Sequence, residues 1–447
     1  MDVLGRLNRS LGSASTLVRA GVLTPMRPDK YMRILAALQR ENMSVTAGFA
    51  AAAQRCGDSA GLIDDLGILT WREIDCRADA FATALQELPD GPPELIALMA
   101  RNHRHLVETL IAANRIGREV LLLHPSFDAA TVGDVLRRDG EGKTLVVVHD
   151  DEFTDTVETA LADRPDTERI VAWTDGPGGR RTVADMITAY DGREPRRALT
   201  RSRVILLTSG TPPKGVGHAG GDPGALPALL SQIPWRAEEP VVIAAPMCQA
   251  WGFSQLVLAA WTAATVVARR TFDPRATLEL VDKYRATGLC VTAAMLEDIL
   301  TAPEAPLGGF SGHSLRFIAV SGAGLRPDHV TVAMDHFGDV VYNSYHATET
   351  GTMAVATPRD LRAAPDTAGR PVEGTEIRIT DGALRVLDTG EVGRIHVRKA
   401  APIDGYTAGR RKDLHDGFLA TGDIGFLDDA GRLFVRGRDS QKSGVDT

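Results

Sequence analysis

The chain has 447 residues, too many for one small domain and enough for two or three units that each carry a core. Its hydrophobic fraction of 44% and charged fraction of 24% are ordinary for a globular protein in water. A formal net charge of -8, with no long basic stripe, argues against nucleic acid as a partner. The four cysteines, Cys56, Cys76, Cys248 and Cys290, are scattered without a C-x-x-C pair, so they read as buried free thiols in a reducing compartment. The N-terminus has no apolar core of signal-peptide type. The longest apolar run, near residues 256–268, falls short of the ~20 residues a membrane span needs. The expected compartment is therefore the cytoplasm, and no repeat of solenoid type is evident.

Residues 1–45 read as a basic amphipathic extension. Arg6, Arg9, Arg19, Arg27, Lys30, Arg33 and Arg40 outnumber Asp2, Asp29 and Glu41, and Leu4, Leu7, Leu11, Ile34 and Leu38 fall at helical spacing. Such a helix can lie on a membrane surface, a peripheral contact, or pack on the main body; the narrow apolar face favours packing. Residues 46–200 alternate helix and strand. Thr46–Arg55 is expected to be helical and Gly61–Leu69 a hairpin around Asp64, Asp65 and Gly67. Thr70 with Glu73 three residues on predicts a capping box, opening a helix that runs to about Leu85. Strands follow at Leu95–Met99, Val120–Leu123 and Thr144–Val148, with helices at Leu106–Ile116 and Asp128–Arg138 between them. This alternation predicts an α/β protein of stacked, mostly parallel sheets covered by helices. The segment Asp150–Arg201, rich in Gly and Arg, is expected to close the first lobe.

A second α/β unit is expected over residues 201–368. Val204–Leu207 reads as a short buried strand, followed by T-S-G-T-P-P-K-G over residues 208–215. Hydroxyls, a glycine and a lysine after a strand are the parts a polyphosphate needs, although a plain turn uses the same residue types. Only three residues separate Gly210 from Lys214, so this is not a Walker loop. Gly217–Gly224 reads as a flexible loop. Strands are expected at Val241–Ala245, Thr265–Ala268, Leu289–Thr292, Phe317–Ser321 and Val340–Tyr342, and helices at Leu256–Ala264 and Pro274–Tyr284. Over residues 369–437 short strands, Glu376–Ile379, Ala383–Val386 and Gly393–Val397, are broken by Asp-Gly and Thr-Gly turns. Together with a hairpin Ile424–Leu427 / Arg432–Val435 they predict a small β-barrel-like subdomain. Residues 438–447 read as a hinge remnant.

The stretch T-S-G-T (208–211) followed by P-K-G (213–215) resembles the phosphate loop of the adenylate-forming superfamily, the acyl-CoA synthetases and luciferases, written T-S-G-T-T-G-x-P-K-G. Four further segments resemble the same family in the same order. Gly322, Ala323 and Gly324 match a strand-turn along the adenine. Asn343 and then Y-H-A-T-E (345–349) match Y-G-x-T-E, T-G-D ends at Asp423, and G-R-D (437–439) contains Arg438.

The resemblance covers nearly all of the chain from about residue 45. It implies ATP, Mg²⁺ and coenzyme A as cofactors and a small-molecule carboxylate as substrate. In such enzymes a carboxylate attacks the α-phosphate of ATP to give an acyl-adenylate and pyrophosphate, and a thiol then displaces AMP. The implied catalytic residues are Thr208, Lys214, Thr348 and Glu349, with Glu349 also holding the metal. The implied nucleotide contacts are Ser209, Gly210, Thr211, Gly215, Gly322, Ala323, Gly324, Asn343, Tyr345, Asp423 and Arg438. Segment 246–253 looks like that of fatty-acyl ligases, which places Gln249, Trp251, Gly252 and His346 on the acyl side, Trp251 as a tunnel gate. Chemistry supports the key members independently. A carboxylate after a Thr-Gly turn accepts from two vicinal hydroxyls, Glu349 is a hard oxygen ligand, and Tyr345 offers a flat face to a purine.

Two competing signatures fail. G-F-S-G-H over 309–313 lacks the final glycine of a nucleophile elbow, and His103 and His105, two apart, lie on different faces of a helix. The sequence also departs from the family pattern. Pro212 alone stands where relatives have three residues, which removes up to ~7 Å of reach and a mid-loop glycine. Gln249 stands in place of histidine, and His346 in place of glycine. The chain ends just past the hinge, where relatives continue into a smaller domain bearing a catalytic lysine. The expectation is a fatty-acyl-CoA ligase-like enzyme represented by its large domain, with weakened catalysis. The alternatives are a non-catalytic nucleotide- or acyl-binding protein, and an adenylating enzyme for an aryl or amino acid.

Overall fold

The computed structural model describes residues 12–176, 179–208, 210, 212–218, 220, 225–302, 307–322, 325–399 and 414–439. Twenty strands occur among them. In chain order they are β1 (Ala60–Asp64), β2 (Gly67–Thr70), β3 (Leu95–Met99), β4 (Glu119–Leu122), β5 (Leu145–His149), β6 (Glu168–Val171), β7 (Val204–Leu207), β8 (Gly215–His218), β9 (Val241–Ile243) and β10 (Val266–Val267). Then come β11 (Gly288–Thr292), β12 (Phe317–Ser321), β13 (Val341–Ala347), β14 (Gly351–Ala356), β15 (Arg370–Pro371), β16 (Thr375–Thr380), β17 (Gly393–Lys399), β18 (Leu414–His415), β19 (Phe418–Leu427) and β20 (Leu433–Arg438).

They form three sheets. One has the order β6-β5-β3-β4-β7-β8, parallel except for the last pair. The largest has the order β15-β14-β13-β12-β11-β9-β10-β1-β2, parallel from β13 to β1 and antiparallel at both ends. The third, antiparallel and curled, has the order β16-β17-β19-β18 with β20 on β19. This is the expected α/β architecture with its barrel-like β unit. Sheet membership does not follow chain order: the early hairpin β1–β2 joins the sheet that otherwise begins at residue 241.

Local sequence accounts for most of the helices. The capping box of Thr70 and Glu73 forms, and the helix Trp71–Gln86 starts there. Asp128, Asp273 and Thr292 each accept a hydrogen bond from the N3 backbone of the helix that follows, which removes an orphan donor at its start. The central strand Leu95–Met99 is apolar and buried along its whole length, as expected of a parallel sheet covered on both faces. One core continues from the helix Trp71–Gln86 through β3, β4 and β7 to the helix Ala250–Thr262, and so joins the two large sheets.

Several expectations are corrected. Gly217 and His218 belong to β8, where they pair with Ile205 and Val204, instead of to a flexible loop; the absence of a Cβ at Gly217 leaves room for the Arg203 side chain. The helix expected from Leu256 begins at Ala250, after the extended residue Gln249, whose side chain makes no capping bond. The strand expected over Val340–Tyr342 runs from Val341 to Ala347. Residues 150–201 contain β6 and the helices Thr154–Ala160 and Val183–Ala189, which short, charged stretches concealed. Ala383–Val386 makes only a single bridge, Val386 to Thr380. The four cysteines are free as expected, but Cys76 is exposed and Cys56 half-buried.

In the basic extension, residues 12–19 and Pro28–Arg40 are helical, and Ala37 is buried against the body while Met32 and Leu35 stay exposed; Leu4, Leu7 and Leu11 lie outside the described residues. No helix among the described residues is long and apolar enough to cross a membrane.

Candidate active site

The site forms where β12 and β13 end and the curled sheet leans over them. Crevices beyond the carboxyl ends of parallel strands are where α/β sheets bind ligands, since the connecting loops diverge there. Ser321 ends β12, and Gly322 follows with φ +115°, a conformation that disfavours any other residue. A Cβ on Gly322 would meet nothing nearer than the Ala293 nitrogen at 3.8 Å, so the glycine is required by the backbone and not by crowding.

On β13, Tyr345 is carried to the curled sheet. Its hydroxyl donates to Asp423 Oδ2 at 2.5 Å, and Arg438 Nε lies 3.2 Å from Asp423 Oδ1. Burial, reinforced by the Asp423 carboxylate, pushes the Tyr345 phenol well above its ordinary range, so it remains a donor. Asp423 owes its position to the T-G-D turn. Gly422 sits at φ +85°, the Asp423 N–H donates to Thr421 Oγ1 at 3.1 Å, and the Thr421 hydroxyl donates to the Ile395 carbonyl at 3.0 Å. Arg438 stands opposite Asp423 in the β19–β20 register. Three segments more than 90 residues apart at the extremes thus meet in one phenol–carboxylate–guanidinium group. Asn343 turns its amide nitrogen to the Thr367 carbonyl at 3.1 Å.

The phosphate-loop residues link β7 to β8 as a closed hairpin. The Thr208 N–H donates to the Lys214 carbonyl at 2.9 Å, and the Lys214 N–H donates to Thr208 Oγ1 at 3.1 Å. Arg138 braces the far side by donating to the Pro213 carbonyl at 2.6 Å. Gly210 is exposed, and Gly215 pairs with Leu207. Ser209, Thr211, Ala323 and Gly324 lie outside the described residues.

Thr348 and Glu349 form the turn between β13 and β14, half-buried. Among the described residues no group of three His, Cys, Asp or Glu side chains converges to hold a metal. A lone carboxylate suits a magnesium ion that takes most of its ligands from phosphates and water, and no dedicated protein cage. His103 and His105 are not a metal pair: His103 Nε2 lies 2.8 Å from Asp150 Oδ1 and His105 Nδ1 lies 2.7 Å from Glu108 Oε2, all of them buried.

A family model described as AMP-binding enzyme matches residues 49–407. The chain belongs to the AMP-binding enzyme family. Its relatives include acid–thiol ligases that differ in their acids. One is a fatty acid–[acyl-carrier-protein] ligase of Streptomyces coeruleorubidus, 28% identical over 390 residues that cover 83% of this chain and 72% of the relative. Another is a 2-succinylbenzoate–CoA ligase of Bacillus pumilus, 27% identical over 380 residues, covering 83% and 73%. Among solved structures, a benzoate CoA ligase from Burkholderia xenovorans superposes with a TM-score of 0.76 at 20% identity, covering 88% of this chain and 80% of that one, a likeness of fold.

This AMP-binding enzyme carries a histidine on β13 beside the candidate site. His346 is half-buried: its ring meets Trp251 edge-on at 5.7 Å between centroids, and Nδ1 lies 3.2 Å from Thr352 Oγ1. Burial pushes the imidazole pKa down to about 3, and the charges of Lys399 and His218 add to the effect, so the ring is neutral at ordinary pH. Trp251 is buried and fixed by its Nε1–H, which donates to the Val291 carbonyl at 3.0 Å.

The other two residues expected on the acyl side behave differently. Gln249 is exposed at the helix N-cap. A Cβ on Gly252 would fall 2.2 Å from the Pro246 carbonyl oxygen, so this glycine lets the helix press on the preceding turn. Sequence reasoning missed Thr352 and Lys399, whose Nζ donates to the Thr352 carbonyl at 2.5 Å. They reach His346 by strand pairing and sheet contact, which leave no local signature.

Proposed function

We propose that this AMP-binding enzyme activates a short or compact carboxylic acid as its acyl-adenylate, using ATP, and passes the acyl group to a thiol such as that of coenzyme A. The observation that carries the nucleotide half is the contact of Tyr345 and Arg438 with Asp423. A flat ring beside a carboxylate and a guanidinium is suited to a purine stacked next to a ribose whose two hydroxyls donate to Asp423. Gly322 lines the strand-turn along the base, and Asn343 supports it from β13.

In the first half-reaction a substrate carboxylate oxygen bonds to the α-phosphorus as the bond to the bridging oxygen breaks, and pyrophosphate leaves with that electron pair. Thr208, Lys214 and Thr348 hold phosphate oxygens in line, the positioning and charge stabilisation on which such transfers depend. Glu349 would ligate Mg²⁺, which supplies charge neutralisation on the phosphates when bound. In the second half the thiol sulfur attacks the acyl carbon and AMP departs.

On the acyl side, His346 against Trp251 fills the space where a glycine would leave a tunnel. A neutral imidazole wall limits depth, which narrows the fatty-acid reading to short or compact acids. The short, self-closed loop Thr208–Lys214 supports a second reading, slow adenylation by a protein that chiefly binds the nucleotide or its acyl derivative.

Calorimetry with a non-hydrolysable acyl-AMP mimic tests the assignment. Loss of the Asp423 acceptor in Asp423→Ala should weaken binding by about 10- to 100-fold, as befits hydrogen bonds to a charged group. Equal affinity in wild type and variant would remove Asp423 from the ribose. Pyrophosphate release with a panel of short acids separates the two readings: turnover favours the ligase, and tight binding without release favours the binding protein.

A further inference from the structure

We infer that Asn102 is a positioning residue for the acyl side of the site, a brace from the six-stranded sheet onto the turn that presents Trp251. The inference rests on the proposal that Trp251 and His346 wall the acyl pocket. Asn102 follows β3 and is buried, 6% exposed. Its Nδ2 donates to the Ala245 carbonyl at 2.9 Å, with the Ile243 and Ala244 carbonyls at 3.3 and 3.4 Å. Its Oδ1 accepts from the Met247 N–H at 2.8 Å. One side chain from another sheet therefore satisfies both a carbonyl and an N–H of the turn leaving β9. That dual demand selects an amide, since a carboxylate lacks the donor and a hydroxyl lacks the span.

The brace is itself anchored. On one side of Asn102 the Arg101 N–H donates to Asp150 Oδ2 at 3.0 Å, and on the other the His103 ring lies 2.8 Å from Asp150 Oδ1. Asp150 follows β5, so the backbone around Asn102 is pinned to its own sheet. At the receiving end the turn bears directly on Trp251. The helix Ala250–Thr262 begins three residues after Met247, and at Gly252 it approaches the Pro246 carbonyl too closely for a Cβ. Displacement of Pro246 must therefore displace the first turn of that helix and the indole it carries. Ala245 keeps a second tether, its N–H donating to the Cys290 carbonyl at 3.0 Å, and Trp251 keeps its bond to Val291. Loss of Asn102 should then shift the turn without unfolding the sheet.

A purely structural role would lower stability and leave ligand discrimination alone. The two are separated by titrating the full chain with AMP and with a non-hydrolysable acyl-AMP analogue sharing the same nucleotide. Asn102→Asp keeps the shape but sets a carboxylate oxygen against three carbonyls; Asn102→Ala removes both bonds and adds no charge, and serves if the aspartate variant does not fold. AMP affinity should stay within about twofold of wild type while analogue affinity falls about tenfold or more. In a Trp251→Ala background, Asn102→Ala should cost no further analogue affinity, because the brace acts through the indole.

Equal weakening toward AMP and analogue, no change toward either, or full additivity with Trp251→Ala would each overturn the inference. The underlying reading fails in a different way: wild type would bind the analogue no more tightly than AMP.

Discussion

Replacing His346 by glycine probes the proposed acyl pocket most directly. In the wild type the half-buried imidazole stands edge-on to Trp251 at 5.7 Å, with Thr352 Oγ1 3.2 Å from its Nδ1, and so lies across the proposed pocket. The ring has about the bulk of three methylene groups. At about 0.8 kcal/mol per buried methylene, the vacated space is worth about 2.4 kcal/mol to a chain long enough to enter it, or about 60-fold in affinity. Glycine in a strand costs about 0.5–1 kcal/mol of stability, which does not enter a binding measurement made on folded protein. The assay is calorimetry with a series of acyl-AMP analogues of increasing chain length. Wild-type affinity should rise with the first few carbons and then stop, whereas His346→Gly should continue to gain over about three more. A wild type that keeps gaining at every added methylene, or a variant that gains equally for all lengths, would refute the reasoning.

Other outcomes are expected from the same structure. The folded pKa of His346 is about 3 against an ordinary 6.5, so between these values the unfolded chain binds a proton that the folded chain does not. Stability should fall as pH drops through that window, and His346→Gln should flatten the fall in urea titrations made at pH 7, 6, 5 and 4. Buried Arg115 binds Asp75, Asp79 at 2.9 Å and Glu41 at 3.4 Å, and Arg197 shares the last two. Arg115→Met leaves Asp79 and Glu41 to Arg197 alone and takes the Arg115 partner from Asp75, and should cost about 3–5 kcal/mol in equilibrium unfolding. Exchanging Pro212 for a Thr-Gly-Ser segment lengthens the Thr208–Lys214 hairpin and adds backbone donors; ATP should then bind more tightly by calorimetry, and no gain would mean the short loop already holds phosphate.

The sequence by itself determined whatever depends on neighbours along the chain. Apolar runs such as Val204–Leu207 and Leu95–Met99 mark buried strands because a covered parallel sheet tolerates no polar face, and the Thr70–Glu73 box marks a helix start because the two side chains satisfy each other's backbone. The T-G-D turn was legible for the same reason: Gly422 and Thr421 fold it locally.

Contacts between distant segments were decided only by the tertiary structure. The β1–β2 hairpin was visible, but its place beside Val266–Val267 depends on a pairing some 200 residues away. The sequence aligned Tyr345 and Asp423 with one site, while the phenol–carboxylate bond required β13 and β19 to be packed together. His346 could have pointed either way until Trp251 and Thr352 closed around it. How near the Pro246 carbonyl comes to Gly252 is likewise invisible in the sequence. Local hydrogen bonds leave a residue pattern behind; packing between sheets leaves none, since many side chains can fill a space whose shape the whole fold sets.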